Sequence, residues 1–575
     1  MEETIKTFLR HVPRSLSYPY LKEHEDLYRL TKQIFTEHLE DVIKQVPQNI
    51  IFPLLEKLSN DPSNEVRRAV AHSLASFPPE VALPLLKKLS ADRKWQIRLA
   101  VAQSLASFPH DEAFPLLRKL SSDPSYNVRL TVAKSLASFP PEIALPLLEK
   151  LSKNRSEDVR RAVAESLASF PTETASLLLE KLSTDHDFSV RLAVAHSLAS
   201  FPPETALPLL EKLSTDQDSR VREFVAKSLA SFPTEKALPL LEKLSTNSEF
   251  YVRIAVAQSL TSFPPEKALP LLKKLSTDRK WQVREVVAEL LPSLPPEKAL
   301  PLIKKLSKDR NSNVREATAR SLASFPPEIA LPLLEKLSTD SDWEVRRAVA
   351  NSLTSFPPEK TLSILENLSI DSDSDVRSAV ARSLASSPSK KALPILKRLT
   401  TNSSCNVRLA VAQTLSSFPH EAAIPLLEKL STDTEWLVRS TLVKSLASFP
   451  PEKALPLLEN LSTDSDPSVR KAAALSLASF PPEVAIPILE KLSTDRHENV
   501  LKTAYHILLS SILPDLLQDA IAQQDARTIF NLLGKFPVVG SCIKFEYDLN
   551  PTPFLKRILS IVSITRQKAD LDVSM

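Results

Sequence analysis

The chain has 575 residues, of which 25% are charged and 43% apolar, so neither disorder nor membrane residence has compositional support. Its net charge of only +4 does not announce a nucleic-acid binder, which calls for a concentrated basic stripe. Two cysteines, Cys405 and Cys542, cannot form a disulfide framework or a sulfur-only four-ligand zinc site, and fit a reducing cytoplasm.

The opening, MEETIKTFLRHVPRS, mixes acidic and basic residues where a secretory signal needs an apolar core of about 7–15 residues. Nowhere does the chain approach ~18 uninterrupted apolar residues. Neither export nor membrane insertion is expected, and the expected location is the cytoplasm. Within EDLYRLTKQIFTEHLEDVIKQV, Leu27, Leu30 and Ile34 share one helical side. Residues 1–50 therefore predict a helical cap over the first unit of the repeat array that begins at residue 51.

From residue 51 to 517 the sequence repeats. Aligned on a mid-segment proline (Pro53, Pro84, Pro115, Pro146, Pro208 and onward to Pro487), the step is 31 residues. Leu177 and Ser363 fill the two gaps, and no insertion disturbs the register of fifteen tandem units. A period of this length marks a unit that cannot bury its apolar face alone, so one array replaces the three or four domains that length suggests.

Each unit predicts two helices. In residues 325–355, Ala330, Leu333, Leu334 and Leu337 follow the spacing of one amphipathic helix, helix A. Val345, Ala348, Val349 and Leu353 make the stripe of a second, helix B. Phe325-Pro326-Pro327 marks the boundary, because a residue before proline avoids the α region and proline suits a first helical turn. The second proline, Pro332, removes a backbone bond from helix A, which is expected to be kinked or to start late. Asp342 stands at the N-cap position of helix B, a column that Ser, Asp or Asn fills in ten of fifteen units. Pro467, directly after Asp466, supports that boundary.

One arginine column is unbroken in fourteen units, among them Arg67, Arg98, Arg129, Arg284, Arg346 and Arg439; the last unit has Leu501. Six residues before each stands Asp or Asn, as at Asp61, Asp92, Asp278 and Asp340. The pair suits an inter-repeat hydrogen-bond ladder, since a carboxylate at fixed spacing satisfies a guanidinium fork internally. A row of arginines awaiting phosphates is the rival explanation.

At these residues the chain resembles the HEAT-repeat family, and is similar to its short bacterial type, that of phycobilisome-lyase repeats: a leucine-rich helix, Asp, then Val-Arg and small apolar residues. It departs where relatives carry glycine between units and this chain carries FPPE. The resemblance implies an all-α fold, a right-handed α-α superhelix or α-solenoid. It also implies structural Asp and Arg columns, helix A on the convex side, helix B on the concave side, and binding to other macromolecules.

Two columns vary on this constant frame. Five residues after the ladder arginine lie His72, Lys134, Lys227, Arg320, Arg382 and Lys444, among polar residues of mixed sign. They offer a contact face for a partner or a merely solvated surface. Three residues before it lie Trp95, Trp281, Trp343 and Trp436, with Tyr126, Phe188 and Phe250. These aromatics could anchor a peptide or stack bases, or they could staple one unit to the next.

The only glycines, Gly534 and Gly540, lie outside the array, so no phosphate-cradling loop is available within it. No HExxH or Cys-x-x-Cys spacing occurs, and the recurrent STDSD carboxylates suit loop capping. Neither enzymatic activity nor a cofactor or metal is expected. Residues 518–575 leave the period; PTPFLKRILSIVSITRQK reads as an amphipathic helix, a cap or else a partner-docking or membrane-surface tail, and SCIKFEYDL as a short strand. The expected function is a scaffold or adaptor holding a protein partner on the helix-B face. Two alternatives stand beside it: nucleic-acid binding of the kind seen in HEAT-like alkylpurine DNA glycosylases, and chromophore attachment of the lyase type.

Overall fold

The computed structural model describes residues 55–386 and 391–508. The terminal caps and the strand expected at 541–549 lie outside them. The chain divides into two compact units, one up to Val283 and one from Arg284. Within each, the described residues form successive helix pairs at the 31-residue period, joined by short turns, and no strand occurs among them.

In the first unit, Trp95–Ser104 is a helix B, a 3₁₀ turn Leu105–Ser107 follows it, and His110–Leu120 is the next helix A. Between them Phe108 is extended at φ −100°, ψ 160° because Pro109 follows, and its ring is 5% exposed. In the second unit Pro327–Leu337 and Trp343–Ser352 repeat the pair, with Pro327 in the first turn. Asp342 accepts a hydrogen bond from the Glu344 N–H. Asp187, Asp218, Asn311, Asp373 and Asp466 cap in the same way, whereas Ser63, Ser125, Ser156 and Ser404 make no side-chain cap.

In most repeats helix A does not start late; the exception is Leu393–Leu399, a 7-residue helix with Pro394 in its first turn. Pro79–Leu89 runs as one 11-residue element with Pro84 inside it. The proline removes the N–H that would reach the Glu80 carbonyl. Both Pro84 and Glu80 are exposed, so water can serve that carbonyl. The same holds along the array, where Pro115, Pro146, Pro208, Pro239 and Pro270 in the first unit and Pro301 to Pro487 in the second are all exposed.

The core is the seam between the two helices of each pair and their neighbours. Val101, Leu105, Leu117 and Leu148 are fully buried, as is the alanine column Ala82, Ala113, Ala144, Ala175 and Ala206. The column stays small throughout, with Thr361 in place of alanine in one repeat of the second unit, since a larger side chain there would overpack the seam. Each buried leucine contributes about 1.5–3 kcal/mol by removal from water. Leu148→Ala is expected to cost about 2–5 kcal/mol, checked by the denaturant midpoint of the full chain.

Candidate functional site

The turns between helices A and B carry the ladder. In the first unit Asp123 accepts the Ser125 N–H at 2.9 Å, which shapes the turn. Its carboxylate also accepts Arg98 Nε at 2.6 Å and Nη2 at 2.8 Å, a bidentate fork from the preceding repeat. Arg98 Nη1 turns back to the carbonyls of Asp92 and Arg93, at 2.7 and 3.2 Å. One guanidinium thus closes its own turn and clamps the next.

The structure differs here from the sequence pairing. The aspartate or asparagine six residues before an arginine offers its backbone carbonyl, while the carboxylate partner, where there is one, stands 25 residues after. Arg67 therefore pairs with Asp92 and Arg253 with Asp278 in the first unit. Asp61, ahead of Arg67, gives it a carbonyl at 2.5 Å. In the second unit Arg284 pairs with Asp309, Arg315 with Asp340, Arg346 with Asp371 and Arg439 with Asp464. Only 4–14% of the paired side-chain surfaces is exposed. Burial opposes ionisation of Asp340, but hydrogen bonds from Arg315 and the Asp342 N–H outweigh it, and the charges of Arg315 and Arg346 add to them. Its carboxyl is held below the usual range.

Three rungs are incomplete. Where the following repeat carries Asn154, Asn247 or Asn402, the buried Nε of Arg129, Arg222 or Arg377 has no hydrogen-bond partner.

A second row of ties went unread in the sequence. The buried hydroxyl of Ser104 donates to the Ala71 carbonyl of the preceding repeat at 2.7 Å, and Ser166, Ser197 and Ser259 do likewise to Ala133, Ala164 and Ala226. Ser352, Ser383 and Ser445 continue the row in the second unit. The signal was available: a serine recurs six residues after most ladder arginines, on the stripe that faces the neighbouring helix B.

The exposed stripe of helix B runs through the positions three before, one after and five after the ladder arginine. These follow i, i+4, i+8 and so share one face. Sequence reasoning found the outer two columns and missed the middle one. In the first unit that middle column supplies half-buried Leu99, Leu130, Leu192 and Ile254 beside Trp95, Tyr126, Phe188 and Phe250. In the second it supplies Glu285, Glu316, Arg347, half-buried Leu409, Lys471 and Lys502, with Ser378 and Ser440 buried; the first also has Arg68, Arg161 and Glu223 in this column.

The predicted contact residues lie on this stripe but are differently employed. Lys134 meets Glu165 at 3.7 Å, Lys227 meets Glu223 at 2.6 Å, and Arg320 meets Glu316 at 3.1 Å and Glu289 at 3.7 Å. Arg382 and Lys444 have no carboxylate partner among the described residues, and His72 is exposed. Lys444 borders a shallow depression of about 530 Å³ with Gln413, Ser416, Thr441 and Ser448.

The aromatics divide as well. Arg220 of the next repeat stacks 3.5 Å over Phe188, a tie between repeats, and Arg347 lies 4.8 Å over half-buried Trp343 on the same helix. Trp281 is half-buried, while Trp95, Tyr126 and Trp436 are 38%, 45% and 43% exposed.

Among the described residues no helix is long and apolar enough to cross a membrane, and no group of three or more His, Cys, Asp or Glu is placed to hold a metal ion.

Helix pairs in strict succession, bound turn to turn by arginine forks, define an α-solenoid. A family model for HEAT repeats matches successive overlapping segments from 84–168 to 425–509, and a second HEAT-repeat model matches 51–77. The chain belongs to the HEAT-repeat family. No curated protein matches it in sequence. Among solved structures, a complex of Kap95 with Nup1 has a TM-score of 0.50 at 14% identity, over 98% of this chain and 87% of that one. Kap95p with RanGDP gives 0.49 at 15%, over 98% and 87%. Importin beta crystallised in ammonium sulfate gives 0.46 at 13%, over 95% and 90%. At such identities the likeness describes the fold alone.

Proposed function

We propose that the chain is a non-enzymatic scaffold that binds a protein partner along the exposed helix-B stripe. The observation that carries this is the division of labour within each repeat. Core, ladder and serine ties recur almost unchanged, while the stripe varies from repeat to repeat. In the first unit it places exposed Trp95 and Tyr126 beside the leucine column, with exposed Tyr251 packed on Phe250 at its edge. Large aromatics next to aliphatic side chains on an accessible face are the usual anchors of protein interfaces. The solved structures of similar fold include complexes with protein partners, Nup1 and RanGDP, which accords with this reading. Cys405 is exposed and free, as suits a reducing compartment.

A nucleic-acid track is less favoured. Lys134, Lys227 and Arg320, three of the five cations it would use, already face glutamates. A partner-binding face predicts that Trp95→Ser, Tyr126→Ser and Tyr251→Ser together lose a partner captured from the native cell by the unaltered chain, with the helical circular dichroism and melting temperature unchanged. Equal capture by both chains would remove the stripe of the first unit from consideration.

A further inference from the structure

We propose that the asparagine rungs at Asn154, Asn247 and Asn402 are compliance points, the junctions at which the stack of repeats opens first. Arg129 keeps the carbonyls of Asp123 and Pro124 at 2.5 and 3.0 Å, but reaches Asn154 only through Nη2 to Oδ1 at 3.4 Å. Arg377 stands in the same relation to Asn402, again at 3.4 Å. Arg222 holds the carbonyls of Asp216 and Gln217 at 2.5 and 3.0 Å. In all three the Nε is buried and without a partner.

The cause is chemical. A carboxylate presents two acceptor oxygens to the two parallel N–H groups of the fork; an amide presents one acceptor and one NH₂, so a donor faces a donor. The rung loses a hydrogen bond and its counter-charge while the Nε stays buried. Because the Nε is sealed from solvent, no outside anion can make up the deficit, so these positions are weak interfaces rather than ligand sites.

In a stack whose units touch only their neighbours, stability is close to a sum of local interface terms, and opening begins at the weakest. Two of the weak rungs lie in the first unit and one in the second. Each separates runs of intact rungs, so the helix-B stripe can shift in blocks of a few repeats as it adapts to a partner.

Hydrogen exchange of the full chain by mass spectrometry tests this at neutral pH. Amides in the turns around Asn154, Asn247 and Asn402 are expected to exchange about tenfold faster than those around Asp340 and Asp464, a factor typical of a lost charge-assisted bond. Asn247→Asp should slow its turn to the rate of its neighbours, and Asn402→Asp should do so independently. Asp340→Asn should speed an intact rung by about the same factor. Equal rates at asparagine and aspartate turns would overturn the proposal, as would turns at 247 and 402 unchanged by their aspartate variants.

Discussion

Replacing Arg346 with alanine is expected to destabilise its part of the stack by about 3–5 kcal/mol, the scale for removing one partner of a buried ion pair. Arg346 donates to Asp371 through Nε at 2.6 Å and Nη2 at 2.8 Å, and to the carbonyls of Asp340 and Ser341 at 2.8 and 3.2 Å. Its side chain is 12% exposed and that of Asp371 7%. Without the guanidinium, Asp371 keeps a burial that disfavours its charge and loses the bonds that overcome it. Two turn carbonyls lose a donor as well. The measurement is the denaturant midpoint of the full chain, supported by limited proteolysis, with early cleavage expected at the turns holding Asp340 and Asp371. Arg320→Ala is the control: its side chain is 51% exposed, and loss of its pairs should cost no more than about 1 kcal/mol. Equal effects from the two variants would show that the ladder does not hold the repeats together.

Acid is expected to remove many rungs at once. The carboxyls of Asp185, Asp278, Asp309, Asp340, Asp371, Asp433 and Asp464 are all held below the ordinary range. In each, burial pushes upward and is outweighed by the arginine fork, a backbone N–H and nearby positive charge. A carboxyl with a lowered folded-state pKa binds fewer protons folded than unfolded, so its contribution is complete above the unfolded value of about 4. It is lost as pH falls through the folded value. The melting temperature should therefore hold between about pH 6 and 8 and fall steeply below about pH 4. A chain carrying Asn154→Asp, Asn247→Asp and Asn402→Asp together should melt higher at neutral pH and lose that advantage in acid, because the added carboxylates titrate with the rest. A melting temperature that stays level down to pH 3 would contradict this account of the turns.

Much of the fold was legible because repetition averages out local ambiguity. A single copy of FPPEIALPLLEKLSTD admits several assignments, but fifteen copies in one register reveal the recurring leucine stripe of helix A and the valine stripe of helix B. Helix A was harder to read because an interior proline ordinarily signals a kink or a late start. The late start does not occur at Pro84, whose ring stands on the exposed side, where water can serve the carbonyl it leaves unpaired.

The exposed stripe was half legible. The outer columns vary visibly, but Leu99, Leu130, Leu192 and Ile254 pass for core residues in a sequence whose helices are already rich in leucine and valine. The aromatic column could not be divided from sequence, since Phe188 is covered by Arg220, which lies 32 residues away, while Trp95 stays open.

The sequence by itself determined the period, the helix pairs, their apolar faces and the existence of an arginine and aspartate column, because those arise from spacings within one repeat. Only the tertiary structure decided which carboxylate each arginine holds, that serine hydroxyls cross to the preceding repeat, and that Asn154, Asn247 and Asn402 leave Arg129, Arg222 and Arg377 short of a partner. The reason is geometric. A contact between neighbouring repeats is set by how two helix pairs stack, and that brings together residues a whole period apart, which no pattern inside one period records.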